Sequence, residues 1–321
     1  MRRYIAWFIG MLTITATTAM AANFVKQNVG APGGWAGTIA GTELNGTLYT
    51  VEATGSLYAT APANGAWTRV GKADFANVVF LFAVGESLVA IEKDGSLYLI
   101  QPQDGSWRRS GPAGGWANTV AGAVLGQTLY TVENSGTLYA SDPSAGTWRQ
   151  VGGPDFAAVK QLFAVGNRLV SIEKSGNLYL INPADGSWER TGDFAAWEQA
   201  TAGVALGQVL YTAEQDGALV ATDTASGTRV PVGAGFAGVQ FLFLPRNLLC
   251  GIDANGNFFH AASQGDAPAA SAPAPTATPE QPALSTAEDE AQNDPARAGA
   301  LTFQFMGQWV GDTAPLEQDP E

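Results

Sequence analysis

An internal repeat of about 40 residues dominates the sequence and restricts what the chain can fold into. Three related segments begin with Trp and lie 81 residues apart, from 35 to 116 and from 116 to 197. Three others begin with Phe, and the two kinds alternate. The six segments begin at Trp35, Phe75, Trp116, Phe156, Trp197 and Phe236. A repeat of this length indicates that one small unit is copied around or along a larger assembly.

Each repeat divides into four short apolar stretches separated by turn residues. In the second repeat we expect strands at Val78–Val84, Ser87–Ile91, Ser96–Ile100 and Ser106–Arg109. Gly85, Asp94-Gly95 and Asp104-Gly105 punctuate them, and such residues supply the backbone angles of tight turns. About 40 residues is the length of one four-stranded propeller blade. The sequence therefore predicts an all-β fold, a six-bladed β-propeller with blades starting near residues 35, 75, 116, 156, 197 and 236.

The two ends of the repeat region complement each other. The sixth repeat stops near His260 and lacks the fourth-strand segment seen elsewhere as WTRVG, WRRSG, WRQVG and WERTG. Phe24–Gln27, followed by GAPGGW, matches Trp107–Ser110, followed by GPAGGW. We therefore expect the N-terminal strand to complete the last blade and to close the propeller, which leaves no exposed sheet end.

Composition divides the chain into four segments. Residues 1–21 resemble a secretory signal, with Arg2 and Arg3, an apolar stretch and a small-residue cleavage site, so we expect a secreted or periplasmic protein without a membrane span after cleavage. A retained membrane anchor is the alternative. Residues 22–260 are the propeller. Residues 261–298 are rich in Ala and Pro and acidic, which predicts a disordered linker, and residues 299–321 form a C-terminal peptide.

Charge and reactive residues narrow the functional classes. The net charge of −13 disfavours nucleic acid as a partner. Cys250 is the only cysteine and occupies a strand position where other repeats have small residues, so we expect a buried side chain. His260 is the only histidine, which argues against a multi-histidine metal site. We expect no enzyme activity and no cofactor.

An acid followed three residues later by Gly recurs in every repeat, between the second and third strands. The acids are Glu52, Glu92, Glu133, Glu173, Glu214 and Asp253. One interpretation is structural: the carboxylate accepts turn N–H groups and the glycine takes a positive φ. The other is a ring of acids that binds a metal or sugar hydroxyls.

The aromatic residues that begin the repeats should lie on the same side of the disc as the acidic turns. They are Trp35, Trp116, Trp197, Phe75, Phe156 and Phe236. An aromatic ring beside carboxylates suits a sugar, which packs a C–H face on the ring. The alternative is that these rings wedge between adjacent blades.

The segments VGKADFANVVFLFAVGESLVAIEKDGSLY and VGAGFAGVQFLFLPRNLLCGIDANGNFF resemble the repeats of tachylectin-2-like propellers of the tectonin group. The resemblance covers Phe24 to His260 and implies recognition of N-acetylated sugars at sites between blades. We therefore expect a lectin-like protein whose partners are glycans or cell-wall polysaccharide. A cell-envelope scaffold for protein–protein interactions, with Phe303–Val310 binding a partner, is the alternative, and a metal-dependent hydrolase or lyase is a third.

Overall fold

A computed structural model of the protein describes residues 23–263. The predicted leader and C-terminal peptide lie outside these residues, as does the predicted linker beyond residue 263. The described chain consists of 24 β-strands and a single 3-10 turn, Pro245–Asn247. No helix within it is long and apolar enough to cross a membrane.

The strands follow the predicted repeats, which we number as units 1 to 6. The first strand, β1, spans Phe24–Val29. Unit 1 contains β2 (Thr38–Leu44), β3 (Thr47–Glu52), β4 (Leu57–Ala61) and β5 (Ala66–Val70). Unit 2 contains β6 (Val78–Val84), β7 (Ser87–Glu92), β8 (Leu97–Ile100) and β9 (Trp107–Ser110). Unit 3 contains β10 (Thr119–Leu125), β11 (Thr128–Glu133), β12 (Leu138–Asp142) and β13 (Thr147–Gln150).

The second half of the chain repeats this arrangement up to the last unit. Unit 4 contains β14 (Val159–Val165), β15 (Arg168–Glu173), β16 (Leu178–Ile181) and β17 (Trp188–Thr191). Unit 5 contains β18 (Ala200–Leu206), β19 (Val209–Glu214), β20 (Ala218–Asp223) and β21 (Thr228–Ala234). Unit 6 contributes β22 (Val239–Phe243), β23 (Cys250–Asp253) and β24 (Phe258–Ser263), which runs three residues past the expected boundary at His260.

The N-terminal strand completes unit 6. β1 pairs with β24 in antiparallel fashion over six residue pairs, from Phe24–Ser263 to Val29–Phe258. The register differs from the expected one by two residues. Lys26 lies opposite Ala261, as Trp107 lies opposite Ile100, so Lys26 rather than Phe24 occupies the position of Trp107. The sequence pattern pairs one aromatic residue with another, whereas in the structure Lys26 and Trp107 share the same distance of nine residues to the next repeat-starting tryptophan.

The protein is a β-propeller, but its sheets are not six separate four-stranded ones. Units 1 to 4 each form a four-stranded antiparallel sheet, whereas units 5 and 6 share one eight-stranded sheet, in the order β18-β19-β20-β21-β1-β24-β23-β22. The two halves of that sheet join where β1 pairs with β21 in parallel, at Phe24–Gly233 and Val25–Ala234. β21 has seven residues and a register shift between Leu219 and Val220 on its partner, which lets its end reach β1.

The core consists of six apolar clusters, each of which lies between two successive units. The cluster that contains Trp35, Leu48, Phe243 and Phe258 joins unit 6 back to unit 1. Five further clusters join units 1 and 2, 2 and 3, 3 and 4, 4 and 5, and 5 and 6. Burial of apolar side chains between neighbouring sheets is therefore what holds the units together.

Each unit that begins with Phe packs a phenylalanine of its first strand against a glycine on the first strand of the next unit. A Cβ atom on Gly122 would lie only 2.6 Å from the Cζ atom of Phe82, and one on Gly203 only 2.7 Å from that of Phe163. Phe243 lies in the same way over Gly41. The Phe-type units thus supply the ring and the Trp-type units the space, which explains why the repeat is stronger at 81 residues than at 40.

Candidate functional site

The acidic turns and the repeat-starting aromatics lie side by side, as the sequence comparison predicts. The backbone N–H of each aromatic donates to the carbonyl of the turn glycine in the preceding unit, for example from Phe75 to Gly55 at 3.0 Å. The same bond runs from Trp35 to Gly256, from unit 1 back to unit 6, at 3.0 Å. At Gly95 (φ +77°) a Cβ would lie 2.2 Å from the amide nitrogen of Ala117, so no other residue fits that turn. This chain of contacts links all six units through their backbones.

The six aromatic side chains do not face solvent. Trp35, Phe75, Trp116, Phe156, Trp197 and Phe236 are each at most 3% exposed. Each belongs to a different one of the six clusters between units. Trp116 and Trp197 also donate their indole N–H to Ser141 and Thr222, at 3.3 and 3.2 Å. The rings therefore occupy the wedge position, and none offers a face on which a sugar could stack.

The six acids fall into two groups. Glu52, Glu92, Glu133 and Glu173 are partly exposed, and none forms an ion pair with another residue of the described chain. Burial raises the pKa of Glu52, Glu92 and Glu173, and at Glu92 the nearby charge of Asp94 adds to this effect. In these turns the backbone carbonyl of the acid accepts the N–H of the glycine, as from Gly95 to Glu92 at 2.8 Å. Where a side chain accepts a turn N–H, it belongs to another residue, such as Asp94, which accepts from the N–H of Ser96 at 2.8 Å.

Glu214 and Asp253 are buried and paired with cations. Arg229 donates to Glu214 at 2.7 Å, and Lys26 donates to Asp253 at 2.5 Å. Asp253 also accepts the backbone N–H groups of Asn255 and Asn257, each at 3.0 Å. Burial acts to raise the pKa of Asp253, but the hydrogen bonds from Lys26 and Asn257 and the charge of Lys26 outweigh it, so this pKa is lowered. Among the six repeated acids, Asp253 is thus the one whose carboxylate is seen to accept N–H groups of its own turn.

The six acids do not converge on a metal site. No group of three or more His, Cys, Asp or Glu side chains suited to a metal ion occurs among residues 23–263. The central cavity of about 340 Å³ is lined by the first strands of all six units, mostly by apolar residues, with Glu43 as its charged side chain. Cys250 is fully buried as expected, and burial, followed by the charge of Glu43, raises the pKa of its thiol far above the ordinary value. His260 contacts the carbonyl oxygen of Pro62.

Four exposed aromatics lie on the outer strands instead, and a fifth, Phe194, is 74% exposed between β17 and β18. Trp67, Trp107, Trp148 and Trp188 are 41–48% exposed, on β5, β9, β13 and β17. Each lies opposite the residue five positions after its unit's turn glycine, so the four positions are equivalent. In the sequence these residues mark the fourth strand of each unit and carry no functional prediction. The recurrence of a tryptophan on four outer strands, which face solvent, is the sequence feature that could have indicated this surface.

These tryptophans are held in place by neighbouring rings. Trp107 packs edge-to-face on Tyr98 at a centroid distance of 5.1 Å, and its indole N–H donates to Asp74 at 3.1 Å. Trp67 and Trp188 pack in the same way on Tyr58 and Tyr179, at 4.9 and 5.1 Å. Trp148 packs on the buried Trp116 at 5.1 Å. Because one face of each ring is fixed by packing, its exposed part is pre-organised for a contact.

Arginines accompany the tryptophans on the same strands. The outer strands of units 1 to 4 carry the exposed side chains of Arg69, Arg108, Arg109, Arg149 and Arg190. Their single acid, Glu189, pairs with Arg168 at 3.2 Å. We call the four tryptophans together with these five arginines the tryptophan rim. It is the largest set of equivalent exposed aromatic and cationic side chains in the described part of the chain.

A polar cavity of about 390 Å³ opens beside the rim between units 2 and 3. Its wall includes Arg108, Gln101, Gln127, Asp142 and Ser144. A smaller neighbouring cavity of about 280 Å³ is lined in part by Trp148 and Arg149, and it shares Thr128 and Asp142 with the first. The groove between these two units thus combines an aromatic ring with hydrogen-bonding groups.

Comparison with known proteins finds likeness only at the level of solved structures. No protein-family model matches the chain, and no curated protein sequence matches it, so the resemblance to tachylectin-2-like propellers gains no support. The chain is similar to BamB from Moraxella catarrhalis, with 15% identity over 70% of this chain and 69% of that one, at a TM-score of 0.44.

Two further structures show likeness of the same order. PorZ, described as an essential bacterial surface component of the type-IX secretion system of Porphyromonas gingivalis, has 12% identity over 74% of this chain and 39% of its own length, at a TM-score of 0.48. The computationally designed protein Ika8 has 16% identity over 71% of this chain and 72% of that one, at a TM-score of 0.45. Similarity at this level assigns no function to the chain.

Proposed function

We propose that the protein is an exported, non-enzymatic interaction scaffold that binds a protein partner through the tryptophan rim. The observation that carries the proposal is the exposure of four equivalent tryptophans, 41–48% each, beside five arginines. Trp, Tyr and Arg are the residues most enriched among the energetic centres of protein interfaces. Rings fixed by Tyr58, Tyr98 and Tyr179 lose little conformational freedom when a partner covers them.

The platform for this surface is, in our proposal, a six-bladed propeller. Six apolar clusters and six bonds from an aromatic N–H to a turn glycine support that count. The eight-stranded sheet then consists of two blades, which touch through the two residue pairs between β1 and β21. Export rests on the leader-like sequence of residues 1–21.

A glycan ligand is the second candidate. The cavity between units 2 and 3 favours it, because Arg108, Asp142 and Ser144 offer donors and acceptors close to the ring of Trp148. The six repeat-starting rings are buried and do not contribute to this surface, so a glycan would contact the rim instead.

The test is retention of a ligand from an envelope extract of the source cells on the immobilised protein. We expect retention by the wild type and its loss in a variant with Trp67→Ala, Trp107→Ala, Trp148→Ala and Trp188→Ala. A variant with Leu206→Ala and Val230→Ala, which alters exposed apolar residues of unit 5, is the matched control and should retain the ligand. Equal retention by all three proteins would contradict the proposal.

Treatment of the extract separates the two candidate functions. Protease digestion of the extract should abolish retention if the partner is a protein, whereas periodate oxidation of sugars should leave it intact. The opposite pattern would replace the scaffold by the lectin function.

A further inference from the structure

We propose that the C-terminal segment of this same chain, residues 299–321 together with the acidic residues before it, docks on the tryptophan rim and competes there with the partner. This inference rests on the proposed function, since it gives that surface a regulator. It assigns one occupant to the rim on grounds of charge, side-chain chemistry and tethering.

Charge distinguishes the rim from the rest of the described chain. Its four outer strands contain five arginines and one glutamate. The remaining described residues contain eight basic and 18 acidic side chains. The rim is therefore a basic surface on an otherwise acidic body, and such a surface attracts acidic segments.

Asp74 accepts the indole N–H of Trp107, and three further acids near the rim are engaged in their own turns. Asp104, Asp142 and Asp185 lie in the hairpins that lead into β9, β13 and β17, and each accepts a backbone N–H two residues further on, at 2.8–2.9 Å. Hydrogen bonds from Ser106, Ser144 and Ser187 lower the pKa of these three carboxyl groups. One oxygen of each carboxylate is thus engaged in its turn. The side chains of all five rim arginines are exposed, although Arg108 donates to the carbonyl of Ser144 and Arg190 to that of Gly192.

The end of the chain has the complementary composition. Residues 264–321 contain ten acids and one base, Arg297. Three aromatic residues, Phe303, Phe305 and Trp309, follow the acidic run at Glu288–Glu290. Carboxylates pair with guanidinium groups, and aromatic rings pack on both tryptophan and arginine. A segment that combines both types fits a surface of alternating Trp and Arg.

Tethering favours this segment over a separate acidic protein. β24 ends at Ser263, and Phe303 lies 40 positions further along the chain. At about 3.3–3.6 Å per residue such a length can span more than about 130 Å, so the segment can reach each outer strand. Attachment to the same chain gives it an effective concentration on the order of millimolar, so even weak contacts suffice for occupancy.

One other cavity could compete for the segment. It measures about 350 Å³, lies near the end of β24 and is lined by Phe24, Leu206, Tyr211 and Leu248, with His260 at its wall. No Lys or Arg lines it, so it would accept the aromatic residues of the segment but not its acids. The tryptophan rim accepts both, and we therefore assign the segment to the rim.

A nitroxide label on the C-terminal segment tests the assignment in the full chain. Cys250 is buried and its thiol pKa is raised, so a second cysteine from Ala300→Cys takes the label selectively. We expect line broadening of the indole N–H signals of Trp67, Trp107, Trp148 and Trp188 relative to the reduced label. About 1 M salt, where the screening length is about 3 Å, should restore these signals. The ring signals of His260, the only histidine, report on the competing cavity.

Broadening at His260 without broadening at the rim indoles would overturn the proposal, and so would broadening at neither. Trp309 lies nine residues from the label and is the internal positive control. In the retention assay, Phe303→Ala, Phe305→Ala and Trp309→Ala together should increase the amount of partner bound at limiting concentration at least about twofold. If the rim indoles are unaffected but the four-Trp variant still loses its partner, the docking inference fails while the scaffold function stands.

Discussion

Units 1 to 4 and units 5 to 6 use the same position of the outer strand for different purposes. In units 1 to 4 it holds an exposed tryptophan, and the acid of the turn is partly exposed without an ion-pair partner in the described chain. In units 5 and 6 it holds Arg229 and Lys26, opposite Thr222 and Ala261, and each cation pairs with the buried acid of its own turn. The tyrosine that supports the tryptophan is also replaced, by Val220 and Phe259.

The difference follows from how the outer strands are attached. In units 1 to 5 a hairpin ties the outer strand to its neighbour, but in unit 5 that strand also pairs with β1. In unit 6 the outer strand β1 comes from the other end of the chain and is held by its hydrogen bonds and by Lys26. Ion pairs therefore replace aromatics where the propeller closes, and the rim ends there.

The largest expected difference between the two regions is in the free energy of unfolding that is lost when the acid of the turn is removed. Asp253→Ala leaves Lys26 without its partner at the closure and two turn N–H groups without an acceptor, so we expect the free energy of unfolding to fall by about 3–5 kcal/mol. Glu92→Ala, at the equivalent position in unit 2, should change it by less than about 1 kcal/mol. Urea denaturation of both variants measures the difference. Equal losses would show that the two regions do not differ.

A double-mutant cycle isolates the ion pairs themselves. Arg229→Met and Glu214→Gln remove the ion pair of unit 5, whose carboxylate is 5% exposed, and we expect a coupling energy of about 1–3 kcal/mol. The matched cycle, Arg168→Met and Glu189→Gln in unit 4, removes a pair whose side chains are 38% and 67% exposed. There we expect less than about 0.5 kcal/mol. A coupling energy in unit 5 no larger than that in unit 4 would show that the buried ion pair does not stabilise its unit more than an exposed one.

The smallest expected effects concern how the free energy of unfolding depends on pH. Asp253 and Glu92 should contribute to this dependence with opposite sign. The lowered pKa of Asp253 stabilises the fold above the ordinary value of about 3.9, and this contribution is lost as the pH falls through the folded pKa. The advantage of wild type over Asp253→Asn should therefore shrink below about pH 4. The raised pKa of Glu92 makes its charge unfavourable at neutral pH, so Glu92→Gln should be more stable by less than about 1 kcal/mol.

Unfolding measured between pH 7 and pH 3 checks both signs. The gain of Glu92→Gln should vanish below about pH 4.3, where the glutamate is protonated in both states. Parallel profiles for the two variants would contradict the contrast.

The sequence predicts the strands and the turns well because local spacing determines them. The expected strands of unit 2 match β6 to β9 to within one residue at each end. The closing strand was also found, but its register was not, since a match of Phe24 to Trp107 ignores the two extra residues before Trp35. The link between β21 and β1 depends on where two chain ends meet in space, which no local pattern encodes.

The site was harder to predict than the fold. A repeated aromatic at the start of a unit has the same sequence pattern whether it faces a ligand or packs between sheets. In the structure Trp197 is 0% exposed, so it packs between sheets. The informative residues were those that break the repeat. Trp188 gives way to Arg229 in unit 5, and that exchange separates a surface tryptophan from a structural cation.

The contact of Phe82 with Gly122, repeated twice more around the ring, limits how such a chain can change its copy number. Removing or inserting a single unit would bring two bulky partners, or two small ones, face to face, with a clash in the first case and a void in the second. Gain or loss by pairs keeps every junction intact. Duplication of an 81-residue module, rather than of its half, is thus the step by which this architecture can grow or shrink.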